Sequence, residues 1–197
     1  MGTLHRFMLA LSRLMAFLGG VVLTAVVVLV CLSILGREFN AFLNGAVAQG
    51  WAPGLANALL GLGIGPVTGD FELVEAGVAF AIFAFLPLCQ ITGAHAAVDI
   101  FTQRLPAGAN RWLRAVIEVA FAAVLVLIAV QLYDGMLTKL RSGQTSFLLQ
   151  FPIWWGYAAG LVGAVVAALV GIYMAGARCA EGLTGRMILP PDEEADH

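Results

Sequence analysis

The chain has 197 residues, 61% of them hydrophobic and only 11% charged, with 10 basic and 12 acidic side chains and a formal net charge of −2. Soluble domains carry roughly 25% charged residues, so this composition excludes a water-soluble globular enzyme, a disordered chain and a nucleic-acid binder. It defines an integral membrane protein, in which the placement of Lys and Arg matters more than their sum.

The first apolar stretch covers residues 14–36, lies between Arg13 and Arg37, and contains no charge. It is longer than the roughly 7–15-residue apolar core of a signal peptide, and no small-x-small site is followed by a polar start. It reads as an uncleaved anchor. Residues 39–69 have no charge but contain seven glycines and two prolines. The best apolar run there, 55–64, is about half the roughly 20 residues a helical span needs. This segment is expected to form one or two short helices at the outer interface or against a partner, with Trp51 as an interfacial anchor.

Three more spans follow at about 73–93, 112–133 and 152–177, all rich in Ala, Val, Leu and Phe. None alternates with period two, which argues against a β-barrel. Cys31, Cys89 and Cys179 lie in or beside apolar runs without a CxxC pattern and read as small apolar fillers. The expected architecture is an all-α membrane domain over residues 1–185 with four transmembrane helices and a short interfacial helix in the first periplasmic loop. An acidic, disordered tail is expected over 186–197.

Orientation follows from the basic residues. Arg6, Arg13, Arg104, Arg111, Arg114, Arg178 and Arg186 fall on one side of a four-span topology, and Arg37, Lys139 and Arg141 on the other. The positive-inside rule then places both termini in the cytoplasm.

Charges inside a bilayer cost at least roughly 2.5–3.5 kcal/mol at mid-helix, so each polar residue near a span needs a reason. Glu118 is the deepest acid, about 9 Å along the helix from Trp112. It is either paired with Arg114, four residues earlier, or a proton or cation site. Asp70, Glu72 and Glu75 open the second span. Asp70 can serve as N-cap with acids at the positive helix end, and Glu72 or Glu75 can pair with Arg37; the two readings are compatible.

His95 and Asp99, spaced i,i+4, could begin a metal site, but no third or fourth ligand is in reach. The three histidines include none at mid-span, which excludes a membrane dihaem cytochrome. There is no GxSxG and no P-loop. No catalytic, cofactor-binding or metal-ligating residue is therefore assigned. In the fourth span Gly156, Gly160, Ala164 and Ala168 recur every four residues beside a stripe of Gly163, Ala167 and Gly171. Small residues at this spacing serve close helix packing, either within the chain or against another subunit.

Taken together these residues resemble the small membrane subunit (DctQ-like) of tripartite ATP-independent periplasmic (TRAP) transporters. The resemblance covers about residues 10–178. It rests on Leu35-Gly36-Arg37 closing the first span and Glu72-Leu73-Val74-Glu75 opening the second. It rests also on Gly93, His95, Val98 and Asp99 before the Leu105-Pro106 turn, and on Thr145 with Phe151-Pro152-Ile153-Trp154 before the glycine-rich fourth span. It implies a non-enzymatic, multi-pass inner-membrane subunit of a hetero-oligomeric symporter. The implied partners are a large membrane subunit (DctM-like) carrying the substrate and sodium sites, a periplasmic substrate-binding protein (DctP-like) and membrane lipid. The small subunit would brace the large one and help dock the binding protein during uptake of an organic acid or similar anion. The alternative is a stand-alone four-helix membrane protein, such as a small carrier or assembly factor.

Overall fold

A computed structural model describes residues 3–50, 53–61, 63, 65–93 and 107–184. These form five helices: α1 (Thr3–Ala48), α2 (Pro53–Gly61), α3 (Asp70–Thr92), α4 (Ala107–Ser142) and α5 (Trp154–Thr184). Among the described residues there is no strand, and the only pairing of extended backbone is an isolated bridge between Thr145 and Pro152. Four of the helices, all but α2, are long and apolar enough to cross a membrane. His95, Asp99, Trp51 and the acidic tail lie outside the described residues.

The helices outrun the apolar stretches. α1 continues past Arg37 to Ala48: residues 38–48 contain no proline, and the Asn44 amide donates back to the Asn40 carbonyl at 2.9 Å within the helix. At 46 residues it is about 69 Å long, more than twice the hydrocarbon core. α4 likewise runs beyond the apolar segment to Ser142. Lys139 and Arg141 sit in its last turn, where cations oppose the negative helix end, and Gly143 follows with φ 62°.

Packing follows the order α1–α3–α5–α4, with α2 on α1 and a minor contact between α1 and α5. The four long helices thus form an open layer. α5 is its hub: 56% of its apolar segment is buried, against 11% of that of α1. Each seam closes on small residues. Between α1 and α3, a Cβ on Gly19 would lie 2.9 Å from Ala84 Cβ. Between α3 and α5, a Cβ on Gly163 would lie 2.8 Å from the Phe83 carbonyl carbon. Between α5 and α4, one on Gly171 would lie 3.0 Å from Leu125 Cδ1. Close backbone approach replaces the hydrophobic drive that lipid removes.

The Gly163 seam coincides with a second feature of α3. Pro87, buried inside that helix, has no N–H to donate to the Phe83 carbonyl one turn back. α5 therefore meets α3 at the turn where the helix ladder is already interrupted. Toward the termini, Ile91, Val170 and Met174 form a buried cluster with Met8 and Leu9 of α1 packed against it.

Candidate functional site

Both ends of the layer carry polar interactions, and among the described residues the end opposite the termini joins α1, α3 and the α4–α5 hairpin. There α3 starts after Gly69, whose φ of 78° places it in the left-handed region. Gly69, and not Asp70, is the N-cap residue, and it offers no side-chain cap. Leu149 packs over Gly69 so closely that any Cβ at that position would overlap it. Asp70 and Glu72 fill the first turn, where negative charge meets the positive helix end.

The structure separates the acids that the sequence grouped. Arg37 pairs with Asp70, Nη2 to Oδ2 at 3.7 Å, and not with Glu72 or Glu75. Asp70 also accepts a hydrogen bond from the hydroxyl of Ser33, which is fully buried on α1, four residues before Arg37. The same hydroxyl accepts from the N–H of Val67 at 3.3 Å. Ser33, Arg37, Val67 and Asp70 thereby fasten α1 to the start of α3.

Glu72 faces the opposite way. Its two carboxylate oxygens accept from the backbone N–H groups of Leu148 (2.6 Å) and Leu149 (2.9 Å) in the α4–α5 hairpin. Both contacts favour the ionised carboxylate. The hairpin is self-braced: Ser146 N–H donates to the Phe151 carbonyl at 2.9 Å, and Ile153 N–H to that of Gln144 at 3.0 Å. Gln150, the one non-glycine with positive φ among the described residues, is held there by its own amide donating to the Phe147 carbonyl at 3.0 Å. Phe71 and Phe147 stand out at this end, 82% and 87% exposed.

Behind the hairpin a cleft of about 630 Å³ opens between α3, α4 and α5. Glu72, Glu75 and Ser146 stand among its lining residues, which include Gly156 and Gly160 of α5. Gly160 is itself buried against the Phe83 ring, and Gly163, one turn further along α5, against the Phe83 backbone. The glycine pattern therefore runs from a more open position at Gly156 to internal contacts at Gly160 and Gly163.

At the termini end, the amide of Gln90, 1% exposed, donates to the Glu118 carboxylate and so ties α3 to α4 across the layer. Arg178 and Glu181 form a buried pair at 3.2 Å on α5. His5 Nδ1 and the Tyr173 hydroxyl are hydrogen-bonded at 3.2 Å, joining α1 to α5. Gln90, Ser33 and Glu181 were not singled out in the sequence, although each is a polar residue in or beside an apolar segment. No group of three or more His, Cys, Asp or Glu capable of holding a metal exists among the described residues.

Four long apolar helices, tied by polar pairs within and between them, define a multi-pass membrane protein. Its conspicuous features are helix seams and an exposed rim at the hairpin end. A family model for the DctQ component of tripartite ATP-independent periplasmic transporters matches residues 26–179, and the chain belongs to that family: it is a small permease subunit of a TRAP transporter. No curated protein and no solved structure matches the chain.

Proposed function

We propose that the chain braces the large membrane subunit of its transporter and helps dock a periplasmic substrate-binding protein, during sodium-driven uptake of an organic acid or similar anionic solute. In this reading the subunit catalyses no reaction, sits in the bacterial inner membrane and has both termini in the cytoplasm. The observation that carries it is the open order α1–α3–α5–α4. A carrier that moved the solute itself would turn polar groups toward a shared axis. Here Ser33 and Asp70 are engaged with each other between α1 and α3, and Gln90 and Glu118 with each other between α3 and α4, while α1 and α4 keep broad apolar faces exposed.

The seven-to-three distribution of basic residues supports the orientation, which puts the hairpin end with Phe71 and Phe147 on the periplasmic side. An exposed aromatic rim of this kind suits a protein contact.

The test uses the full-length chain expressed with its large membrane partner and the binding protein. Phe71→Asp with Phe147→Asp should leave co-purification of the large subunit intact and lower binding-protein-dependent uptake in proteoliposomes at least about tenfold, the equivalent of about 1.4 kcal/mol. Unchanged uptake would remove the docking role. Failure of the wild-type chain to co-purify with any large subunit would remove the bracing role.

A further inference from the structure

The cleft at the hairpin end has a composition that the bracing role does not require. Its floor is at Gly156 of α5, and its walls include Ala76, Ala79 and Phe83 of α3, the Phe83 ring packed on Gly160, and Leu132 of α4. From Glu75 to Phe83 the cleft follows α3 for about 12 Å. That is close to the hydrocarbon depth of one leaflet, about 15 Å as half of the 30 Å core. The cleft volume of about 630 Å³ falls within the roughly 300–1,000 Å³ of small-molecule sites.

Glu75 stands at the mouth. Glu72 beside it is engaged by two backbone N–H groups. The Glu75 carboxylate has no hydrogen bond or ion pair among the described residues, and the cleft lining contains no basic side chain. A carboxylate at the edge of an apolar cleft favours a cation. Ser146, 9% exposed, lines the same cleft with its hydroxyl beside the Glu72 carboxylate, which it helps to keep ionised.

We propose that this cleft binds one phospholipid with an amine headgroup, its ammonium on Glu75 and an acyl chain along the apolar wall over Gly156. Charge selects the headgroup. An anionic lipid brings only negative charge to a mouth that already holds Glu72 and Glu75, whereas an ethanolamine headgroup supplies the missing cation. The length and apolar character of the cleft select a lipid over a protein side chain: one lysine or arginine would neutralise Glu75 and leave most of the apolar wall without contacts. The inference needs only that α3, α4 and α5 cross a bilayer, so it stands or falls separately from the docking role.

The test is native mass spectrometry on the full-length chain, co-expressed with its large subunit and reconstituted in nanodiscs of equal phosphatidylethanolamine and phosphatidylglycerol. One phosphatidylethanolamine should survive mild delipidation, favoured at least about tenfold over phosphatidylglycerol. Glu75→Gln should reduce that preference at least about fivefold. Gly156→Leu should abolish retention by filling the floor. A Cβ at position 156 meets only Ala76 Cβ, at 3.7 Å, so the backbone accommodates the change. Equal retention of both lipids, an unaltered preference in Glu75→Gln, or a carboxyl-to-amine cross-link from Glu75 to a partner lysine would each overturn the proposal.

Discussion

Glu72 of α3 holds the backbone of Leu148 and Leu149 across 76 and 77 residues of sequence, one carboxylate oxygen to each N–H. A loop between two long helices has few local means of fixing its tip. Here a side chain from a third helix supplies two acceptors, and Leu149 in turn closes over Gly69 at the start of that helix. The hairpin and the first turn of α3 therefore order one another.

Hydrogen exchange should show that coupling residue by residue. In Glu72→Ala the amides of Leu148 and Leu149 both lose protection. In Glu72→Gln one is kept, because the amide retains a single acceptor oxygen. If both amides exchange at the wild-type rate in the alanine variant, Glu72 does not order the hairpin.

The α1–α3 fastening makes an unequal prediction for its two charges. Arg37 is 59% exposed and 3.7 Å from its partner, the geometry of a surface pair of little value. Asp70 additionally accepts from the buried Ser33 hydroxyl. Asp70→Ala should therefore lower the midpoint of thermal unfolding in detergent clearly more than Arg37→Ala, with Asp70→Asn between them. A larger loss in Arg37→Ala would invert the assignment.

Glycine substitutions should separate seams from open faces. Gly163→Ala places a methyl 2.8–3.0 Å from Phe83 and Ala84 backbone atoms and should destabilise by about 1–3 kcal/mol. Gly20→Ala meets nothing within 4 Å and should be neutral, or stabilise by up to about 1 kcal/mol through helix propensity. Unfolding in mixed detergent reads both; equal effects would contradict the packing order.

Glu118 is expected to be structural. Glu118→Gln keeps an acceptor for Gln90 and removes the cost of a charge beside the core, so complex yield and sodium-dependent uptake should stay within about twofold. Gln90→Leu removes the donor and should cost about 1–3 kcal/mol. Abolished uptake with normal yield in Glu118→Gln would make this residue a cation site.

The spans were legible because each is an apolar run between charges. Their helix ends were not. Hydropathy marks where the bilayer lies, and residues 38–48 and 134–142 contain no proline that would stop a helix beyond it. The charge pairs were legible as a cluster and not as partners. Asp70 and Glu72 are two residues apart, about 200° around the helix, so one faces α1 and the other the α4–α5 hairpin. The Gln90–Glu118 contact depends on the lateral order of the helices, which no local pattern in either segment encodes. The small-residue stripe of α5 announced close packing, but only the positions of Phe83 and Ala76 distinguish the tight contacts at Gly160 and Gly163 from the more open Gly156.

The lateral order also constrains how the layer is made. Chains emerge from the ribosome N-terminus first, so α4 enters the bilayer before the helix on which it chiefly packs. Until α5 arrives, α3 and α4 have little to hold them together beyond Gln90 and Glu118. The final helix must enter between two already inserted neighbours. Those neighbours must stay far enough apart to admit it, which the weak direct packing of α3 on α4 allows. A ribosome stalled before residue 154 would leave an α1–α3 pair and α4 without their common partner, with the surfaces of Ala76 and Ala122 that face α5 open to any other helix in the membrane.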